Sequence, residues 1–152
     1  MTLDTTAILD AVQSQVQALA LFDTVNLHEP KSKPGNGLTC AIWADRIAPL
    51  PTASGLAATT GLVVLALRTY TSMLQQPFDA IDPNMISAVD ALIAGFSGTF
   101  TLGGSVRDID LLGEFGTPLS AQAGYINQDG KLMRVMTLTV ALVVNDIWAQ
   151  IP

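Results

Sequence analysis

The chain has 152 residues, 49% of them hydrophobic and 13% charged, and its 13 acidic and seven basic side chains leave a net charge of −6. That is enough chain for one self-supporting domain spanning residues 1–152, and the composition is the opposite of the charge-rich signature of disorder. The acidic balance argues against a broad basic face for phosphates, and one histidine and one cysteine leave no intrachain disulfide and little raw material for most metal or nucleophile–base sites.

From Asp4 to Ala20 the apolar residues Ile8, Leu9, Val12, Val16 and Leu19 recur at helical spacing, which predicts an amphipathic helix. Acids at Asp4 and Asp10, and no base before Lys31, predict neither a secretion signal nor a transit peptide; intracellular synthesis is the expectation. His28-Glu-Pro-Lys-Ser-Lys-Pro-Gly-Asn-Gly37 carries two prolines and two glycines and reads as an exposed loop. Leu38 to Ile47 reads as a strand, with Leu38, Cys40, Ile42 and Ala44 on one face and Thr39, Ala41, Trp43 and Asp45 on the other. A mean hydropathy of +0.42 and an uncharged stretch from Ile47 to Leu67 invite a membrane reading. Pro49, Pro51, Ser54, Gly55 and Gly61 make that stretch a poor hydrocarbon-facing helix, so it reads as a loop and then a second strand at about Leu56 to Ser72. Leu62–Leu67, apolar on both faces, suits a central strand covered on two sides, or on one side by a neighbouring subunit.

Asp82-Pro83 supplies a cap residue followed by proline at a first helical position. Ile86, Val89, Ile93 and Phe96 continue that helix until Gly95 or Gly98. Thr99 to Leu102, a Gly103-Gly104 break and Val106 to Leu112 read as a strand interrupted by a kink. Asp129-Gly130 between alternating segments predicts a two-residue type I′ hairpin. The register then sets Gln128 opposite Lys131, Tyr125 opposite Arg134, Ala123 opposite Met136, Ala121 opposite Leu138 and Leu119 opposite Val140. Met136, Leu138, Val140, Leu142 and Val144 form the buried face. The expected class is α+β, with about two helices laid on a mostly antiparallel sheet.

Few residues suggest chemistry. His28 beside Glu29 resembles a base held by a carboxylate, but no nucleophile or metal partner lies nearby in sequence, and a loop histidine contacting backbone or a neighbouring chain explains it as well. Cys40 reads as a small buried hydrophobe, and Asp82 as a helix cap, although Asp79 and Asp82 together invite a cation reading. Pro34-Gly-Asn-Gly37 lacks the Gly-Lys-Ser/Thr and following helix of a phosphate cradle, and Gly103-Gly104 lacks the dinucleotide fingerprint. Neither a catalytic residue, a cofactor site nor a metal site is expected. Met73, Leu74, Phe78 and Ile81, in a proline-containing connection, read either as a satellite core or as a subunit contact. Ile147-Trp-Ala-Gln-Ile-Pro152 poses the same choice, with Ile147 and Trp148 as the interface candidates.

A set of motifs, in order from about residue 26 to 150, resembles the tail terminator proteins of long-tailed bacteriophages, particularly those infecting actinobacteria. It comprises His28-Glu-Pro-Lys…Pro34-Gly-Asn-Gly, Ile42-Trp-Ala-Asp…Ile47-Ala-Pro, Ser54-Gly-Leu-Ala, Arg68-Thr-Tyr-Thr-Ser-Met-Leu-Gln-Gln-Pro…Asp79-Ala-Ile-Asp-Pro, Val106-Arg-Asp-Ile-Asp-Leu-Leu-Gly, and Gly124-Tyr…Gln128-Asp-Gly-Lys with Val144-Asn-Asp-Ile-Trp. The resemblance implies a non-enzymatic virion subunit without cofactor. It would form a six-membered ring at the head-proximal end of the tail, with the tail tube protein and the head-side connector as partners and no membrane. DNA would pass non-specifically through the lumen, for which Asp108, Asp110 and Glu114 are the candidate acidic lining. A head-completion or stopper subunit, a tail tube subunit, and a small ligand-binding or hydrolytic domain are the competing readings.

Overall fold

The computed structural model describes residues 3–28, 37–51, 54–73 and 78–151. The fold is α+β: two helices lie on one face of a six-stranded, mostly antiparallel sheet. Helix α1 spans Thr5–Ala18, and its N-cap Asp4 accepts a hydrogen bond from the Ala7 amide at 3.1 Å. Strands β1 (Thr24–Asn26), β2 (Thr39–Pro49) and β3 (Ala58–Ser72) follow, then helix α2 (Ile81–Gly98), then β4 (Asp108–Ile109), β5 (Ser120–Gln128) and β6 (Lys131–Ala149). The sheet runs β1-β2-β3-β6-β4, with β5 also pairing β6; only β1 and β2 are parallel.

The apolar run Leu62–Leu67 lies in β3, at the centre of the sheet between β2 and β6, and the subunit itself covers both its faces. Side chains alternate along a strand, so the two faces collect different residues. Val63, Leu65 and Leu67 join Cys40, Ile42, Leu138, Val140 and Leu142 beneath Val12, Val16, Leu92 and Phe96 of the helices. Leu62 and Val64 join Leu50, Ala141 and Val143 on the opposite face, where Phe115 packs against them. Farther along that second face, Ala41, Tyr70, Met133 and Val135 form a third cluster with Trp43 and Ile126.

The Asp129-Gly130 turn has φ of +55° and +77°, both positive as a type I′ turn requires. Gln128, Tyr125, Ala123 and Ala121 face Lys131, Arg134, Met136 and Leu138 as the turn chemistry predicts. Gly130→Val forces a β-branched residue into the left-handed region and is expected to cost at least about 1–2 kcal/mol. A lowered urea midpoint with an unchanged m-value checks this.

Four expectations need correcting. The ladder begins at Ser120 opposite Thr139, so the expected pair of Leu119 with Val140 falls one residue outside it; the Leu119 amide donates to the Leu111 carbonyl at 3.0 Å. The buried surface of β6 is two-sided, because Met133, Val135, Ala141 and Val143 are buried beside Leu138, Val140 and Leu142, while Met136 and Val144 are only half-buried. Helix α2 buries Ile81, Met85, Ala88, Val89, Leu92 and Phe96, leaving Ile86 exposed, because Met85, Ala88 and Leu92 turn the apolar stripe away from it. The broken strand shrinks to two ladder residues: Leu102, Gly103 and Gly104 all take positive φ in a 3-10 turn, Asp108 and Ile109 pair with β6, and the flanking Arg107 and Asp110 amides donate to the Val143 and Ala141 carbonyls at 2.9 Å.

Candidate assembly surfaces

Exposed apolar side chains lie at both ends of the β3–β6 ladder, while others, Leu112, Ile86 and Phe100 among them, are exposed away from it. At the Ser72 end, Met73, Phe78, Asp79, Ile81, Asp82 and Tyr125 line an open cleft of about 340 Å³. Phe78 is 59% and Tyr125 58% exposed. Ile81 is buried as the first residue of α2, so it is core and supplies no free surface. Leu74 lies outside the described residues, as do Glu29 and most of the Pro/Gly-rich loop.

Arg134 organises this cleft. Its guanidinium donates to both carboxylate oxygens of Asp82, at 2.9 and 3.3 Å, and to the Gly124 carbonyl at 3.2 Å, while lying 4.4 Å from the centre of the Tyr125 ring. A planar guanidinium serves all three groups at once because its donors lie in one plane and its face stacks. Asp82 is therefore not the helix cap: α2 starts one residue earlier, its N-cap Ala80 makes no side-chain bond, and Asp82 in the first turn serves Arg134. The negative charge still suits the helix N-terminus.

At the Ala58 end, Leu56 is 98% and Ile151 86% exposed, and the Gln150 amide donates to the Ala57 carbonyl at 2.8 Å between them. Trp148 is partly exposed beside them, and its ring lies against Gly61, where a Cβ would come within 3.1 Å of it. Ile147 is fully buried; a Cβ on Gly61 would meet its Cδ1 at 2.5 Å, so the missing side chain of Gly61 makes room for it. Ile147 is thus a core residue, and of the two only Trp148 keeps exposed surface. The sequence reading missed Leu56, which it took as the start of a strand, and Tyr125, whose signal was one large ring among the small residues of Ser120–Gly124.

The three acids assigned to a lumen lining occupy different settings. Glu114 is exposed, and Asp108 is half-buried with its carboxylate 3.4 Å from Arg107. Asp110 is buried: its two oxygens accept from the Glu114 amide at 2.7 Å and the Phe115 amide at 2.9 Å. It anchors the loop over residues 111–119 and cannot face a channel. The same loop carries Phe115 onto the second face of the sheet and is met by Arg46, whose guanidinium donates to Thr117 Oγ1 at 2.9 Å.

Chemistry-bearing residues are scattered. Cys40 is buried, and burial pushes its thiol up to about 12, which keeps it neutral and unreactive. His28 is exposed on a loop. Among the described residues no group of three metal-ligating side chains converges, and no helix is long and apolar enough to cross a membrane. Comparison with protein-family models and with curated proteins found no match.

Proposed function

We propose that the chain is a structural virion subunit of the tail terminator type, assembling as a ring that caps the tail tube, stops its growth and joins it to the head-side connector. The observation carrying this reading is the pair of unlike apolar patches at the two ends of β3, Met73 and Phe78 at one and Leu56, Trp148 and Ile151 at the other. Fifteen strand residues separate them by about 45 Å, and heterologous ring closure needs two different patches on each subunit. The resemblance of the ordered motifs supplies the particular assembly. An acidic chain suits a lumen through which DNA slides, since fixed cations there would hold phosphates. Of the acids named for that lining, Glu114 and Asp108 retain exposed surface.

Two tests bear on this reading. Electron microscopy of lysates from virus lacking only this protein, with a complemented control, should show overlong tubes unattached to filled heads. Tails of normal length accumulating apart from heads would favour a head-side stopper, and intact particles would defeat both. Trp148→Ala removes a partly exposed aromatic anchor, and Phe78→Asp places a charge in an apolar contact. At about 2 kcal/mol for such an anchor, each weakens ring closure by more than about tenfold. Both variants should impair assembly more than folding of the isolated subunit, whose unfolding midpoint falls further in Trp148→Ala because that ring packs on Gly61. Normal assembly of both variants would remove this assignment of the contacts.

A further inference from the structure

The two lateral edges of the sheet are treated differently. On one side, β1 is only three residues long and the Gln13 side-chain amide caps its Val25 carbonyl at 3.0 Å. Beyond β1, the outer edge of β2 is broken by a bulge between Ala44 and Arg46, bears the charged pair Asp45 and Arg46, and ends at Pro49. These are the devices that keep an edge from pairing with another chain. On the other side, β5 runs nine residues, Ser120–Gln128, with no charge, no proline and no register shift against β6.

The hairpin register says which groups of β5 are unused. Gln128 and Lys131 close a two-residue turn and so form a hydrogen-bonded pair. Pairs alternate in an antiparallel ladder, so Ser120, Gln122, Gly124 and Ile126 spend their backbone groups on β6. The amides and carbonyls of Ala121, Ala123, Tyr125 and Asn127 therefore point away from the sheet, and no hydrogen bond to them is found among the described residues.

The geometry points to this edge as a pairing surface for a second copy of the chain, β5 against β5 antiparallel about a two-fold axis through Ala123. The occupant is chosen by self-complementarity. With Ala123 opposite its own copy, Ala121 faces Tyr125 of the other copy, Gln122 faces Gly124, and Ser120 faces Ile126, so each large side chain meets a small one. The hydrogen-bonded pairs then fall on Ala121, Ala123 and Tyr125, the residues whose backbone groups point outward. Charge agrees, since two copies each carrying −6 can approach closely along a strip that has none. The helix-side surface has room as well. Ile86, Val89, Asp90, Ile93, Ala121 and Met136 line a cleft of about 290 Å³ between α2 and β5, with Asp90 its one charged side chain. The partner's Tyr125, held at its own Arg134, would lay its exposed face over Ala121 at the mouth of that cleft. Two-fold pairing keeps both helix layers on one side and makes a single continuous sheet. The inference does not depend on the ring reading: it concerns the subunit away from the tail, and a two-fold contact is not the contact that closes a ring.

Cross-linking tests it. Ala123→Cys sets a thiol opposite itself at the roughly 5.5 Å Cα separation of a hydrogen-bonded pair, within disulfide range. Ser120→Cys, on the same edge, lies far from its own copy in this register. The native Cys40 is buried and does not compete. Under mild oxidation Ala123→Cys should give covalent dimer at least about tenfold faster than Ser120→Cys. The wild-type chain should sediment as a dimer at about 100 µM and dissociate on dilution, as weak interfaces do. Ala123→Pro, which removes only an outward N–H, should be monomeric with an unchanged far-UV spectrum. A monomeric wild type at that concentration, or equal cross-linking of the two cysteine variants in an assembly of any size, overturns the proposal.

Discussion

Asp110→Ala is expected to lower stability by about 2–4 kcal/mol, an effect large for one polar side chain and traceable to one loop. The carboxylate is buried and accepts two backbone amides, those of Glu114 and Phe115. Its removal leaves both donors facing a space that water must enter. The loop is then held by Phe115 on the sheet and by the contact of Arg46 with Thr117. Loss of the anchor should free Phe115 and uncover Leu62, Val64, Ala141 and Val143 on the second face. Hydrogen exchange should show the amides of residues 114 and 115 losing protection ahead of the β3 amides. Asp110→Asn, which keeps one strong acceptor in place, should cost about half as much. Equal exchange throughout the chain in Asp110→Ala would mean that the loop is not a separate unit.

Phe96→Ala should be costlier still, about 3–5 kcal/mol, because it empties the place where both helices meet the sheet. Phe96 is completely buried among Val12, Val16, Leu92 and the helix-facing residues of the strands. The site cannot collapse readily, since α1 already lies against α2 at Gly95, where a Cβ would approach the Gln15 side chain at 2.9 Å. Urea unfolding should show a lower midpoint, and the loss should exceed that of Gly130→Val at the rim of the sheet. Phe96→Leu, which returns most of the volume, should recover the larger part.

The comparison of sequence with structure divides along physical lines. The hairpin register was legible because Asp129-Gly130 permits one turn geometry and that geometry counts outward without ambiguity. The burial of β3 on both faces was legible, because a strand apolar on both must be covered on both, but whether the subunit or a neighbour covers the second face was not. The end of the broken strand was not, since the positive φ of Leu102 is imposed by the turn around it and leaves no mark in the residue type. The helix start at Ile81 was equally hidden: Asp82 has the chemistry of a cap, and only the presence of Arg134, 52 residues further on, shows that its carboxylate is committed elsewhere. Asp110 and Ile147 were placed at surfaces for a related reason. One is an acid and the other lies near the end of the sequence, and neither fact predicts burial against a distant loop or beside Gly61.

Cys40 gives the molecule a built-in reporter of its own opening. As the only thiol in the chain, enclosed beneath α1 and kept protonated by its surroundings, it is closed to alkylating reagents until the core parts around it. Labelling at this sulfur therefore proceeds at the intrinsic thiol rate multiplied by the fraction of molecules open at any moment. Followed over hours without denaturant, it converts a mass change of one adduct into the free energy of opening of the helix-covered core.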